Sequence, residues 1–138
     1  MTSLAVRPFK NFIGGEWVDA TSGLTFESVV PATGEVLGTF PRSSADDVDR
    51  AVAAAQEAFR DWRLVPAPER GAILLRFARL LERDKQELAD LMSREMGKVL
   101  AEAGGDVQEA IDMAIYMAGE GRRMFGQTTP SELRDKFQ

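Results

Sequence analysis

Residues 100–126, LAEAGGDVQEAIDMAIYMAGEGRRMFG, carry the strongest periodic signal in the sequence. At about 100° per residue, one sector of a helix collects the apolar side chains of Leu100, Val107, Ile111, Ala114, Ile115 and Ala118. Glu102, Asp106 and Glu109 fall almost diametrically opposite this sector. The first half of the segment is therefore predicted to be an amphipathic helix with a buried face and an acidic outer stripe.

The second half of the same helix has apolar residues on the outer side as well. Beyond Asp112 the line of the acidic stripe is continued by Met113, Tyr116 and Met117. A helix that is apolar nearly all round needs partners on two sides, and the other segments are expected to pack on it. The pair Gly104-Gly105 leaves two interpretations open: a close approach of something to the backbone, or a frayed start with Asp106 as the true N-cap.

The first 42 residues or so are predicted to be antiparallel β-structure. Residues 11–13 and 16–18 flank Gly14-Gly15, which indicates a hairpin whose turn needs positive φ. Residues 25–30 and 35–40 are joined by a Pro-Ala-Thr-Gly turn and form a second predicted hairpin. The two hairpins together span residues 11–40. Because isolated hairpins are marginal in water, these strands must lie on something apolar.

Three further helices are predicted before residue 100, so that the helical part spans residues 44–126. The first is capped by Ser43 or Ser44 and ends before Pro66. The second has Pro68 in its first turn, and the third begins at a capping-box variant starting at Asp84 and ends at Gly97. The predicted apolar face of the first helix consists of Val48, Val52, Ala55, Phe59 and Trp62. That of the second consists of Ile73, Leu74, Phe77, Leu80 and Leu81, and that of the third of Leu88, Leu91 and Met92.

Composition limits the possible functions. The 138-residue chain has a net charge of -5 and no basic patch beyond Arg122-Arg123, which argues against nucleic-acid and membrane partners. It contains no cysteine and no histidine, so a disulfide framework, a thiolate zinc site and a thiol nucleophile are excluded from it. The opening residues do not form a secretory signal and no stretch is long and apolar enough to span a membrane, so a cytoplasmic location is expected. The last eleven residues trail off without a closing element and indicate an interruption.

Two other clusters have structural explanations that are favoured over functional ones. Gly119 and Gly121 lack the spacing of a nucleotide-binding loop and follow a helix, so they are interpreted as a helix stop. Asp46, Asp47 and Asp49 lack the other ligands of a calcium loop and are interpreted as a solvated helix start. From its residues alone, the sequence shows no catalytic constellation.

Several segments in order resemble one known family. NFIGGEWVD, VVPATGEVLGTFPRSSADDVDRAVAAAQEAF, PAPERGAILLRFARLLERDKQELADLMSREMGKVLAEAGGDV and YMAG are similar to the amino-terminal region of the NAD(P)-dependent aldehyde dehydrogenase superfamily. The resemblance covers residues 11–137. It implies an α/β fold of which residues 1–138 are the first quarter to third, with the catalytic domain absent, and a homo-oligomer when the enzyme is complete.

The resemblance also implies a chemistry. Members of the family form a thiohemiacetal on a catalytic cysteine, transfer hydride to the nicotinamide, and hydrolyse the thioester with water activated by a glutamate. None of the catalytic residues and none of the NAD or NADP contacts can be placed in residues 1–138. The cofactor is expected to bind to the missing part, and the substrate is expected to be a small aldehyde.

Three residues on the last helix are implied to border the substrate. In relatives this helix lines the entrance tunnel, and the positions that match Gly105, Glu109 and Met113 face it. The segment from Asp106 to Glu109 is similar to the branch that acts on aminoadipate semialdehyde, where the equivalent glutamate meets the substrate's amino group. An amino-acid-derived semialdehyde is the substrate that this similarity implies.

Some relatives also bind a monovalent cation. The resemblance places its ligands at the backbone carbonyls of Ser28 and Val29 and at the carboxylate of Glu95, a position where those relatives usually carry aspartate.

Two hypotheses follow for the chain by itself. The first is an inactive piece of an aldehyde dehydrogenase that oxidises an aldehyde or semialdehyde to the carboxylic acid. The second is a non-catalytic interaction or regulatory module derived from the same family. A cooperatively melting monomer would favour the module, whereas aggregation or molten behaviour would favour the fragment.

Overall fold

The computed structural model describes residues 7–128 and 132–136. It contains five short strands followed by four helices. The strands are β1 (Arg7–Pro8), β2 (Asn11–Ile13), β3 (Glu16–Val18), β4 (Thr25–Val29) and β5 (Val36–Pro41). The helices are α1 (Ala45–Trp62), α2 (Ala67–Arg83), α3 (Lys85–Met96) and α4 (Leu100–Glu120). This order of hairpins and four helices confirms the predicted architecture.

Both predicted hairpins are present. β2 pairs with β3 in antiparallel register, and Gly14 and Gly15 between them have φ values of 62° and 87°, which is the left-handed region that the tight turn requires. β4 pairs antiparallel with β5, with a bulge between Ser28 and Val29. The sequence prediction of purely antiparallel pairing was incomplete, because β1 adds to the outer side of β5 in parallel and gives the sheet order β1-β5-β4.

Helix α1 is fixed at its amino end by a capping box. The Ser44 backbone N–H donates to Asp47 Oδ2 at 2.9 Å, and the Asp47 carboxylate also accepts from the backbone N–H of Thr21 at 2.8 Å and from its hydroxyl. Asp47 is only 2% exposed, so the prediction of a solvated helix start was wrong at this residue. Hydrogen bonds from the Thr21 side chain, the Ser44 backbone and the Thr21 backbone lower the pKa of Asp47 to about 2.

The boundary between α2 and α3 differs from the predicted capping box. Asp84 ends α2 and precedes α3 at once, and its backbone (φ -100°, ψ 9°) is not the extended conformation of an N-cap. Its carboxylate accepts two hydrogen bonds of 2.7 Å from the guanidinium of Arg83 instead of capping α3. Helix α3 nevertheless begins and ends where predicted, with Gly97 in the left-handed region after its last turn.

The hydrophobic core lies where α4 contacts α3. Ala89, Ala103, Val107 and Ile111 are buried, and they are covered by Leu81, Leu88 and Met92. Helix α2 crosses α4 so closely that a Cβ on Gly71 would lie 2.5 Å from the carbonyl oxygen of Ala118. The core side of α4 was predicted correctly for Val107, Ile111 and Ala114.

Several predicted core positions are exposed instead. On α4 itself, Leu100 and Ile115 are 47% and 44% exposed. The same holds for most of the predicted apolar faces of α1 and α2: Val48, Val52, Phe59, Trp62, Ile73, Leu74, Phe77 and Leu80. The described residues cover these faces only in part, because α2 and α3 have α4 as their main partner and α1 has its largest contact with β2. The apolar periodicity of the helices was predicted correctly, but most of these apolar faces are not buried against the described residues.

In the described part of the chain, Gly104-Gly105 marks neither a frayed start of α4 nor a close approach to its backbone. The helix runs without interruption from Leu100, so Asp106 is not its N-cap. A Cβ on Gly104 or Gly105 would meet no atom within 4 Å, so nothing described here approaches the backbone. Helix α4 ends at Glu120, directly before Gly121, in agreement with a helix stop in this region.

Candidate functional site

The implied tunnel residues share one exposed side of α4. Gly105, Glu109 and Met113 follow each other at intervals of four residues, which places them along one stripe of a helix. All three are exposed, and Met113 is 60% exposed. The stripe faces outward because the opposite side of α4 is held in the core by Val107 and Ile111. The structure therefore places these residues together on an accessible surface.

This surface is electrically negative. Lys98 donates a hydrogen bond to Asp106 and forms an ion pair with it. The pKa of Lys98 is raised, mainly by this hydrogen bond and in smaller part by the nearby carboxylates of Glu102 and Glu109. One ammonium group thus faces three carboxylates, and Glu109 has no ion pair of its own in the described part of the chain. A cationic group would be attracted to the stripe, and an anionic group would be repelled.

Apolar side chains extend this surface toward the end of α4. Tyr116 is 61% exposed and Met117 is 46% exposed. The guanidinium of Arg123 lies over the Tyr116 ring at 5.9 Å from its centroid and also pairs with Glu120. The outer side of α4 is therefore apolar beyond Asp112, as predicted, but the described residues do not cover it.

A groove between α2 and α4 was not found by sequence reasoning. It has a volume of about 300 Å³, and its apolar lining includes Trp62, Ile73, Leu74, Met117 and Met124. Arg70 also lines it, and its Nε is buried without a hydrogen-bond partner among the described residues. The signal that could have indicated the groove is Gly71, since the close crossing of α2 over α4 forms its floor.

Of the three implied cation ligands, Glu95 lines a cleft between the sheet and α3, and Ser28 and Val29 are not among its lining residues. The register of β4 and β5 shifts between Ser28 and Val29: Ser28 pairs with Gly38 and Val29 pairs with Val36, so the unpaired residue, Leu37, lies in β5. Val36 and Glu95 line the same cleft of about 670 Å³ between the sheet and α3. In the described residues no three Asp, Glu, His or Cys side chains gather closely enough to form a metal site by themselves.

The segment around Gly119 and Gly121 does not fit NAD(P) phosphates. Gly119 and Gly121 lie at the carboxyl end of α4, where the helix dipole is negative and no N–H groups point outward. This end of the helix therefore does not attract a pyrophosphate. Helices that are both long and apolar enough to cross a membrane are likewise not found in the described part of the chain.

The fold agrees with a match to a known family. The profile of the aldehyde dehydrogenase family matches residues 17–138. The chain belongs to this family, as its resemblance implied.

Individual relatives agree with this assignment. The malonate-semialdehyde dehydrogenase 3 of Geobacillus kaustophilus (strain HTA426) is 50% identical over 131 residues, which are 94% of this chain and 27% of that protein. The succinate-semialdehyde dehydrogenase of Burkholderia pseudomallei is 43% identical with a TM-score of 0.89 over 94% of this chain and 27% of that one. An NAD-dependent aldehyde dehydrogenase of Sinorhizobium meliloti is 38% identical with a TM-score of 0.90, over 96% of this chain and 27% of that one. The chain spans about a quarter of the length of these relatives.

Proposed function

We propose that this chain is the amino-terminal part of an NAD(P)-dependent dehydrogenase that oxidises an aldehyde or semialdehyde to the carboxylic acid. The observation that carries the proposal is the family match over residues 17–138 together with the relatives that are named semialdehyde dehydrogenases. The catalytic cysteine that the family uses has no counterpart here, because the chain contains no cysteine. The reaction is therefore assigned to the remaining three quarters of the fold.

The contribution proposed for this chain is to border the path of the substrate. The stripe of Gly105, Glu109 and Met113 would form one wall of the entrance, with the carboxylate of Glu109 selecting among aldehydes by charge. Support comes from the exposure of all three residues and from the excess of carboxylates around Lys98. An aldehyde that also carries an amino group fits this wall better than an aldehyde that carries a carboxylate. The backbone carbonyls of Ser28 and Val29, with the carboxylate of Glu95, are proposed to hold a monovalent cation.

The first test uses the chain as it is. Residues 1–138, supplied with NAD⁺ or NADP⁺ and an aldehyde, should show no reduction of the cofactor. Turnover that scales with the concentration of this chain and survives purification would show that catalytic groups lie within it. The non-catalytic module remains the alternative, and it predicts no activity in any assembly.

The second test uses a chimaera in which this chain replaces the aligned segment of the Geobacillus relative. Glu109→Gln should raise KM for a cationic aminoaldehyde about two- to fivefold, lower it for malonate semialdehyde, and leave it unchanged for propanal. The range corresponds to one solvent-exposed charge interaction. Glu16→Gln, an exposed carboxylate on the first hairpin, is the matched control. Equal changes for all three aldehydes would contradict a role of Glu109 in charge selection.

A further inference from the structure

One ammonium group lies within the acidic stripe of α4. The stripe consists of Glu102, Asp106 and Glu109, which follow each other at intervals of four and three residues and therefore lie on one side of the helix. Lys98 reaches it from the segment before α4 and forms an ion pair with Asp106. In the described part of the chain no other ion pair involves these three carboxylates. Three carboxylates and one ammonium group leave the stripe negative.

The fold holds Lys98 in this position. The hydroxyl of Ser93 in α3 donates a hydrogen bond of 2.9 Å to the backbone carbonyl oxygen of Lys98. The preceding residue packs on the turn after β4, since a Cβ on Gly97 would lie 3.4 Å from the Cβ of Pro31. The side chain of Lys98 is 25% exposed and that of its partner Asp106 is 42% exposed. The ammonium group is therefore a fixed part of this surface.

The charge of Lys98 acts on the whole stripe. Its pKa is raised mainly by the hydrogen bond to Asp106, and the carboxylates of Glu102 and Glu109 contribute to the rise. Electrostatic interaction is mutual, so the ammonium group also makes the potential around Glu109 less negative. A cation that approaches Glu109 is attracted less strongly than the three carboxylates alone would attract it.

We propose that Lys98 is a specificity-determining residue, whose ammonium group offsets one carboxylate of the acidic stripe and so limits the preference for cationic over anionic aldehydes. The inference rests on the proposed function, because it needs this side of α4 to border the path of the substrate. Lys98 acts through the potential at Glu109 and does not need to touch the aldehyde. The expected signature is a dependence of KM on the charge of the aldehyde.

Two substitutions break the same ion pair and change the charge in opposite directions. In the chimaera with the Geobacillus relative, Lys98→Met makes the stripe more negative and Asp106→Asn makes it less negative. KM for 3-aminopropanal should fall about two- to fivefold in Lys98→Met and rise about two- to fivefold in Asp106→Asn. KM for malonate semialdehyde should change in the opposite sense in each variant, and KM for propanal should stay constant.

The opposite signs separate a role in charge from a role in structure. Loss of a structural contact predicts changes of the same sign in both variants, and that result would overturn the inference. The double variant Lys98→Met with Asp106→Asn lacks the contact but has the original net charge. Its KM for 3-aminopropanal should lie within about twofold of the unsubstituted chimaera. Lys98→Arg keeps the charge and should likewise leave the preference between the aldehydes unchanged.

A matched control lies on the first hairpin. Lys10 forms an ion pair of 3.2 Å with Asp19 at an exposed site, so Lys10→Met changes the net charge of the chain by the same amount as Lys98→Met. It should leave all three KM values unchanged. Equal shifts in Lys10→Met and Lys98→Met would overturn the inference, because the overall charge would then explain them. The shifts in Lys98→Met should also shrink when the ionic strength is raised from about 0.05 M to about 0.5 M.

The same measurements distinguish this inference from the proposed function. If Glu109→Gln changes KM according to charge but Lys98→Met and Asp106→Asn do not, the role of Lys98 is refuted and the role of Glu109 stands. If none of the three variants responds to the charge of the aldehyde, both roles are refuted. Should Lys98→Met not fold, Asp106→Asn at its partly exposed position still tests the inference, because loss of structure would not move KM in opposite directions for 3-aminopropanal and malonate semialdehyde.

Discussion

Replacing Gly71 with alanine should loosen the contact between α2 and α4. Gly71 is buried, and a Cβ there would lie 2.5 Å from the carbonyl oxygen and 3.4 Å from the carbonyl carbon of Ala118. Real Cβ atoms do not approach oxygen so closely, and the contacted atom is backbone, so one helix must move. Overpacking of this kind costs about 1–3 kcal/mol.

A matched substitution removes the intrinsic effect of alanine from this comparison. Gly104 is also a glycine inside a helix, but a Cβ on it would meet no atom within 4 Å. Both substitutions gain up to about 1 kcal/mol of helix propensity, so Gly104→Ala should stabilise α4 while Gly71→Ala should not. The difference between the two variants isolates the clash and should be about 1–3 kcal/mol.

Amide hydrogen exchange of Val107 and Ile111 is the suitable assay because it reports the opening of α4 without requiring a cooperative transition of the whole chain. Both residues lie in the buried stretch of α4. Exchange in Gly71→Ala should be about 5- to 150-fold faster than in Gly104→Ala, which is the rate ratio for 1–3 kcal/mol. Equal exchange in the two variants would show that the helices are not in close contact at this crossing.

Three further outcomes are expected. Because the pKa of Asp47 is lowered from 3.8 to about 2, its ionised form stabilises α1 fully above about pH 4. This stabilisation should be lost between about pH 4 and pH 2. Circular dichroism should show a loss of helix over this pH range, and the loss should be smaller in Asp47→Asn. In the chimaera, potassium at ten times its dissociation constant should raise the free energy of unfolding by about 1.4 kcal/mol relative to tetramethylammonium at equal ionic strength. Glu95→Gln should remove this difference, whereas Glu87→Gln should leave it unchanged. Residues 1–138 alone should melt over a broad range and bind a hydrophobic dye, whereas a sharp transition of a monomer without dye binding would contradict the account of uncovered surface.

Short-range features of the fold could be predicted from sequence because each depends on a few adjacent residues. Gly14-Gly15 specifies its hairpin through positive φ, and Ser44 with Asp47 specifies the start of α1. Interactions between distant segments could not be predicted in this way. The hydrogen bonds from Thr21 to Asp47 join residues 26 positions apart, and no local pattern indicates that this particular carboxylate would be buried.

The candidate site could be predicted only in part. Periodicity placed Glu109 and Met113 on the outer side of α4, and the structure agrees with that placement. Their role at a substrate entrance remains a proposal that comes from family resemblance. The buried Nε of Arg70 could not have been predicted, because its environment depends on how α2 crosses α4 and not on its neighbours in sequence.

The exposed helix faces explain why sequence periodicity and observed burial disagree. A 3.6-residue apolar pattern records where a helix is buried in the state in which the protein functions, whichever polypeptide provides the cover. In α1 the pattern is regular, yet Val48, Val52 and Phe59 are 57%, 49% and 58% exposed. In the middle of α4, where this chain supplies the partner, Val107 and Ile111 are 4% and 1% exposed. Since the same rule predicts burial correctly in the middle of α4 and fails at α1, the difference lies in the partners that the described residues provide for each helix face.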